Sequence, residues 1–374
     1  MKVDKSKWHK IFLGEVCNLY QPKTIATSCL DSNGKYLVYG ANGVIGKYNE
    51  YNHKFPEVLI TCRGATCGTI NISKPFSWIN GNAMVVHPKE ENLLDFAFLG
   101  KAVSAIDYSK VITGAAQPQI TRANLQKVQI VIPTLVEQQT IASELDAVQE
   151  MIDGYKAQIA DLDALAQSIF LDMFGNVSMN DKSWNIIPMG KLGDFKNGLN
   201  YNKGEQGKSI KIIGVGDFQN IKSLSSFNDI SSIEVEHISE EYLLHNEDIV
   251  FVRSNGNKNL VGRCLEVYPN DAEVTFSGFC IRFRKSVEIS NKYLIALLTD
   301  SGFKKTHLLK SNGIGIQNIN QKLLSSLPIP VPSADLQQLF ALKVETIEQQ
   351  KEQLRLQLQD AETLMAERMQ YYFS

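Results

Sequence analysis

The feature that most constrains this chain is an internal repeat. Residues 113–174 and 312–373 align without a gap at a shift of 199. Gly114 falls on Gly313, Ile120 on Ile319, Leu125 on Leu324, Pro133 on Pro332 and Gln138-Gln139 on Gln337-Gln338. A repeat of this kind means two copies of one folding unit, each with the same parts in the same order. Within it, Val128, Ile130 and Ile132, and their copies Leu327, Ile329 and Val331, alternate with the period of a half-buried strand and stop at a proline. A looser match opens each half, with Trp8 on Trp184 and Leu13-Gly14 on Met189-Gly190 at a shift of 176, so the second half carries about 23 extra residues inside. The halves agree at their edges and diverge between them. A length of 374 residues suits two such lobes. The order is lobe, helix, lobe, helix: residues 1–132, 133–183, 184–332 and 333–374.

After Pro133, apolar residues recur in steps of four and three: Ile141, Leu145, Val148, Ile152, Tyr155, Ile159, Leu162, Ala166, Ile169 and Met173. That is a heptad seam. The same register in the second copy picks out Phe340, Val344, Ile347, Lys351, Leu354, Leu358, Ala361, Met365, Arg368 and Tyr372, apolar at all but Lys351 and Arg368. A helix of about 38 residues would be roughly 57 Å long, beyond what a lobe with a radius of gyration of about 14 Å can cover. Each helix therefore wants a partner. We expect an antiparallel pair within the chain that holds the lobes apart, the alternative being helices that wait for another protein.

Charge divides along the same borders. The net values are +6 for 1–132, −7 for 133–183, +2 for 184–332 and −3 for 333–374, a contrast hidden in the whole-chain value of −2. Basic lobes on acidic rods suit contact with a polyanion through the lobes, although a solvated charged face accounts for the helices equally well. Glycine-rich turns in the first lobe bear polar side chains, in Tyr39-Gly40-Ala41-Asn42-Gly43, Arg63-Gly64-Ala65-Thr66-Cys67-Gly68 and Asn80-Gly81-Asn82. The counterparts in the second are Ile213-Gly214-Val215-Gly216-Asp217, Arg253-Ser254-Asn255-Gly256 and Ser277-Gly278-Phe279. Arg63 and Arg253 each end an apolar strand, which puts a guanidinium at a strand tip, where arginine can pair with guanine, asparagine or glutamine with adenine, and glycine lets backbone approach phosphate. A tight turn and a surface ion pair explain any one of these residues as well. The same device in both halves favours binding.

Nothing in the sequence marks chemistry. Gly214-Val215-Gly216 lacks the third glycine of a dinucleotide fingerprint, and no Walker A loop, HExxH, GxSxG or Asn-Pro-Pro-aromatic motif occurs. His9, His53, His87, His237, His245 and His307 have no ligand or triad spacing, and the nearest cysteine pair, Cys62 and Cys67, has no second pair to complete a zinc site. No metal is expected. With no apolar run of about 18 residues and a polar, lysine-rich start, a soluble, cytoplasmic chain is expected.

Two divergent lobes, each followed by a copy of one long heptad helix, resemble the DNA-specificity (S) subunits of type I restriction-modification systems. The stretches that carry the resemblance are Tyr39 to Gly46, Arg63-Gly64 with Gly68, Asn82-Ala83, and the Pro-x-x-x-x-Gln-Gln helix starts at Pro133 and Pro332. It spans essentially the whole chain, although the second lobe lacks Tyr-Gly-Ala-Asn-Gly. It implies an α+β fold, with two target-recognition lobes of mixed structure joined by an antiparallel coiled coil about a pseudo-two-fold axis. Each lobe would read one half of a bipartite, asymmetric duplex about one helical turn, roughly 34 to 36 Å, from the other. The chain would be non-catalytic and would bind no cofactor. Two methyltransferase subunits with S-adenosylmethionine would dock on the helices and modify adenines, and restriction subunits would use ATP and Mg. The DNA face would comprise Tyr39, Asn42, Lys47, Arg63, Thr66, Asn82, Gln117, Gln119 and Arg122 in the first lobe. In the second it would comprise Lys203, Asp217, Arg253, Asn255, Lys258, Arg263, Ser277, Gln317 and Asn318. A related type II or modification-only system, or a coiled-coil scaffold that binds no DNA, are the alternatives.

Overall fold

The computed structural model describes residues 4–114, 117–201, 206–218, 221–254, 257, 260–308 and 318–374. The chain forms two compact units, Met1–Lys156 with Arg355–Ser374, and Ala157–Leu354. The borders of these units fall inside the two long helices, Leu135–Phe174 and Ala334–Phe373. The physical reason is that each unit is closed by the start of one helix and the end of the other.

In the first unit, β1 (His9–Phe12) pairs with β9 (Gln129–Ile132), His9 opposite Ile132, and ties the beginning of the lobe to its end. An antiparallel sheet has the order β2 (Cys17–Tyr20), β8 (Ala83–Pro88), β5 (Val58–Thr61), β6 (Ile70–Ile72). A second sheet has the order β4 (Gly43–Tyr48), β3 (Tyr36–Gly40), β7 (Trp78–Ile79), the last pair parallel. Val58 and Ile60 of β5 and the helix Phe96–Ser104 supply the core, which Ile141, Leu145 and Tyr372 of the long helices complete.

The second unit repeats the plan. β10 (Asn185–Pro188) pairs with β19 (Pro328–Val331), Asn185 opposite Val331. The main sheet has the order β11 (Gly193–Asn197), β18 (Cys280–Lys285), β15 (Asp248–Val252), β16 (Cys264–Val267), β13 (Ser223–Leu224). The lesser sheet has the order β14 (Ser232–Val235), β12 (Lys208–Ile213), β17 (Val274–Phe276). The extra residues of this half lengthen its inner connections and add β13. Its core rests on Phe170 and Phe174 of the first long helix, Phe340 of the second, and Tyr293 between them.

Within each unit the long helices run past one another in opposite directions. In the first, Glu144 meets Tyr372 and Arg368, and Lys156 meets Glu362. In the second, Asp163 meets Lys351 and Phe170 meets Phe340. Ile141, Leu145, Val148, Ile152, Phe340 and Ile347 are buried, and Tyr155, Ile159, Leu162, Ile169, Val344, Leu354, Leu358 and Met365 are half-buried. Lys351, one of the two breaks in the apolar register, is only 3% exposed, its ammonium 2.8 Å from Asp163 and 2.9 Å from Glu348.

The duplicated Gln-Gln has a structural cause. Gln138 is fully buried; its Oε1 accepts from the Asp95 N–H at 2.8 Å, and its Nε2 donates to the carbonyls of Leu93 at 2.9 Å and Pro133 at 3.0 Å. Asp95 caps the helix Phe96–Ser104, so one amide ties a lobe helix to the start of a long one. Gln337 does the same in the second unit, accepting from Ser290, which caps the helix Asn291–Thr299, and donating to Pro332, both at 2.9 Å. Gln139 and Gln338 are exposed. Among the described residues no helix is long and apolar enough to cross a membrane.

Candidate nucleic-acid interface

The polar turns of the first unit meet at the end of β5. Beyond Thr61 the Cys62 carbonyl accepts from Ile120 at 2.9 Å, the Cys62 N–H donates to Asn82 at 3.2 Å, and the Gly64 N–H donates to Pro118 at 3.1 Å. A turn in which Ala83 N–H donates to the Asn80 carbonyl at 3.0 Å aligns Asn82 with them. The loop between β5 and β6 folds back through Gly68, whose φ of +95° is open to glycine at little cost, so that its N–H reaches the Thr61 carbonyl at 2.9 Å. Buried backbone is thereby paired, and the side chains of Arg63, Thr66, Asn82 and Gln119 are left exposed on one rim. The tip of β3 and β4 joins it, because the Thr61 hydroxyl donates to the Ala41 carbonyl and Asn71 Nδ2 donates to Asn42 Oδ1 at 3.4 Å.

The second unit builds the same rim with other side chains. Here the Arg253 carbonyl accepts from Ile319 at 2.8 Å, the Arg253 N–H donates to Phe279 at 2.8 Å, and Cys280 N–H donates to Ser277 at 2.8 Å. Since Ile319 is the copy of Ile120, Arg253 occupies the place of Cys62, and Ser254, bridged to Asn318, occupies that of Arg63, which is bridged to Gln119. The two arginines that the sequence pairs as equivalents are therefore one residue out of register. In extended chain one residue reverses the side chain. Arg63 is exposed, whereas Arg253 is half-buried, with Nη1 3.5 Å from the Gly278 carbonyl and Nε buried without a partner among the described residues.

The structure brings some sequence candidates together and removes others. Asn42, Arg63, Thr66, Asn82 and Gln119 share the first rim; Gln117 and Arg122 are exposed on either side of Gln119 along the chain. Lys47 is exposed on β4 opposite Leu37, away from the Asn42 tip. Tyr39 is a correction: it is 5% exposed in the core with Leu59 and Ile79, and its hydroxyl accepts from the Lys74 N–H at 3.0 Å. Ser277 is another, 8% exposed, its hydroxyl 3.7 Å from the Cys280 sulfur. Asp217 accepts from the Gly214 N–H at 2.7 Å and so serves its own turn. Arg263 is half-buried and donates to the Phe218 carbonyl at 3.2 Å. Asn318 is exposed on the second rim. Lys203, Asn255, Lys258 and Gln317 lie outside the described residues. Sequence reading passes over Phe279, 63% exposed at the place of Asn82. The signal was present, since Ser277-Gly278-Phe279 copies Asn80-Gly81-Asn82.

The exposed side chains of the first rim are a guanidinium, a hydroxyl and amides. Among the described residues no group of three or more His, Cys, Asp or Glu side chains could hold a metal. All six cysteines are free thiols, and burial pushes Cys62 up to about 11 and Cys17, Cys264 and Cys280 to about 12, the reverse of an activated nucleophile.

The family described as type I restriction modification DNA specificity domain matches residues 5–163 and 181–360 of the chain. The chain is 26% identical over 337 residues to the type I restriction enzyme StySPI specificity subunit of Salmonella potsdam, covering 83% of this chain and 68% of that protein. It is 21% identical over 379 residues to the MjaVIII specificity subunit of Methanocaldococcus jannaschii, covering 91% of this chain and 86% of that one. In structure it resembles the S subunit of a type I restriction-modification system from M. genitalium, with a TM-score of 0.63 at 16% identity over 100% of this chain and 98% of the other. A chain solved in work on complex assembly and conformational transition of the type I system matches with a TM-score of 0.56 at 15% identity, over 100% of this chain and 98% of the other. With two matched segments that fall on the two halves of its repeat, the chain belongs to the type I restriction-modification DNA specificity family.

Proposed function

We propose that this chain is the address of a restriction-modification complex: each unit reads one half of a split, asymmetric duplex target through its rim, and the chain itself catalyses nothing. The observation that carries this reading is the pair of rims, alike in backbone hydrogen bonding and unlike in side chains. A common scaffold presents Arg63 and Asn82 in one half and Ser254 and Phe279 at the same places in the other. Backbone that repeats while its exposed side chains change is the pattern expected when two sites bind one kind of ligand with two sequences. The net charges of +6 on the first lobe and +2 on the second favour phosphate contact.

The long helices, as an antiparallel coiled coil, set the unread gap between the half-sites and offer acidic outer faces on which two methyltransferase subunits dock. S-adenosylmethionine would be held by those subunits, and ATP and Mg by restriction subunits. The test is co-expression with the methyltransferase subunit encoded beside it, followed by single-molecule sequencing of modified adenines. A split motif with a fixed gap supports the proposal. A stable complex whose methylation follows no split motif overturns it, and binding to duplex that does not weaken as salt rises assigns the lobes to protein or peptide instead.

A further inference from the structure

The place shared by Asn82 and Phe279 carries more than a difference in polarity. Both residues follow a glycine in a turn closed by the same hydrogen bond, Ala83 to Asn80 at 3.0 Å and Cys280 to Ser277 at 2.8 Å. Both hold, through their carbonyl, the N–H of the residue one past the end of the central strand. Their backbone is thus fixed on two sides, and neither side chain has been recruited into the core. For Asn82 exposure is unremarkable. For Phe279 it is not: a phenylalanine left 63% exposed on a rigid turn gives up the apolar burial that would stabilise it elsewhere in the fold. Tyr201, at 39% exposed, follows two residues beyond Leu199, which is bridged in parallel to Ser277.

Resting on the base-reading function proposed above, we infer that the 82/279 place is a specificity position, and that Phe279 reads a thymine in its half-site through the 5-methyl group in the major groove. A phenyl ring has no donor or acceptor for a base edge, and the thymine methyl is the apolar feature of that groove, whereas an asparagine at the same place suits adenine. The position therefore assigns different bases to the two half-sites without any change of backbone.

The experiment uses the complex with its methyltransferase subunit. The target is first mapped, and binding is then measured on duplexes in which each thymine of the second unit's half-site is replaced in turn by uracil. One replacement should weaken the native complex about threefold to fivefold, the effect of losing one buried methyl, and Phe279→Ala should abolish that difference while relaxing the same base pair in the methylation map. Phe279→Leu, which keeps an apolar surface, should preserve most of it. If the native complex yields a split motif and yet no uracil replacement matters, or Phe279→Ala leaves the motif unchanged, the inference is wrong although the base-reading function stands. If no split motif is found at all, it is that function which fails.

Discussion

Gln138 is an amide that the sequence marks only by its repetition, and its removal has a calculable result. Gln138→Ala deletes three hydrogen bonds, to Asp95, Leu93 and Pro133, in a place with no solvent to replace them. At about 1 kcal/mol for each neutral bond, the loss is about 3 kcal/mol. Gln337→Ala deletes two and should lose about 2 kcal/mol. The exposed neighbours serve as controls, since Gln139→Ala and Gln338→Ala should stay within about 0.5 kcal/mol of the parent. Because the chain has two compact units, a single unfolding midpoint would mix them. Amide hydrogen exchange read by peptide is the better assay. With about 1.4 kcal/mol per tenfold, Gln138→Ala should speed opening of the helix Phe96–Ser104 by about a hundredfold or somewhat more and leave Asn291–Thr299 alone, and Gln337→Ala should do the converse. Gln138→Glu should be worse than alanine, as it removes the donor and buries a charge. Equal exchange in the Gln138→Ala and Gln139→Ala proteins would refute the reasoning.

Lys351→Met should raise the melting temperature by the equivalent of about 1 to 2 kcal/mol, because Asp163 and Glu348 are exposed enough to return to water while the seam gains apolar contact; a fall in the circular-dichroism midpoint would contradict this. Glu144 is held below its usual carboxylate range, first by the Tyr372 hydroxyl, which donates to it at 2.7 Å, and also by the charge of Arg368. A folded value below the unfolded one gives stability that is present above the ordinary value of 4.5 and is lost as the pH falls through the lowered one, so melting temperature should drop on acidification and Glu144→Gln should flatten that profile. Arg63→Ala should leave thermal stability unchanged and weaken DNA binding by about 1 to 3 kcal/mol, relaxing one half of the motif. Arg253→Ala should also lower stability, since this side chain is half-buried against Gly278; identical behaviour of the two variants in melting would argue against the register offset.

Much of the architecture was legible because it depends on period. Steps of four and three from Ile141 onward and from Phe340 onward name two long helices, and alternation in Gln129–Ile132 names a strand, since helical and extended backbones turn side chains at fixed intervals, although near the end of the first helix it is Phe170 and Phe174, one residue on from Ile169 and Met173, that meet Phe340. The alignment of Gln138 with Gln337 showed that these amides matter and could not show why, since Asp95 and Ser290 are more than forty residues away in the chain. Single side chains of the candidate site could not be placed from the sequence. Tyr39 sits next to Gly40 in a stretch that reads as one polar loop, yet it lies on a strand facing Leu59 and Ile79. Arg63 and Arg253 look alike because each ends an apolar run, and the hydrogen bonds from Ile120 and Ile319 set them one residue apart.

Read as a string of residues, the chain already shows two repeated halves, each with a long helix after its closing strand. These follow from repetition and periodicity, which are local or self-referential. Which side chains stand on the rims, and which compact unit holds each part of the long helices, emerges with folding. Those outcomes depend on strand register and on contacts between distant segments, where a shift of one residue turns a side chain from solvent to core.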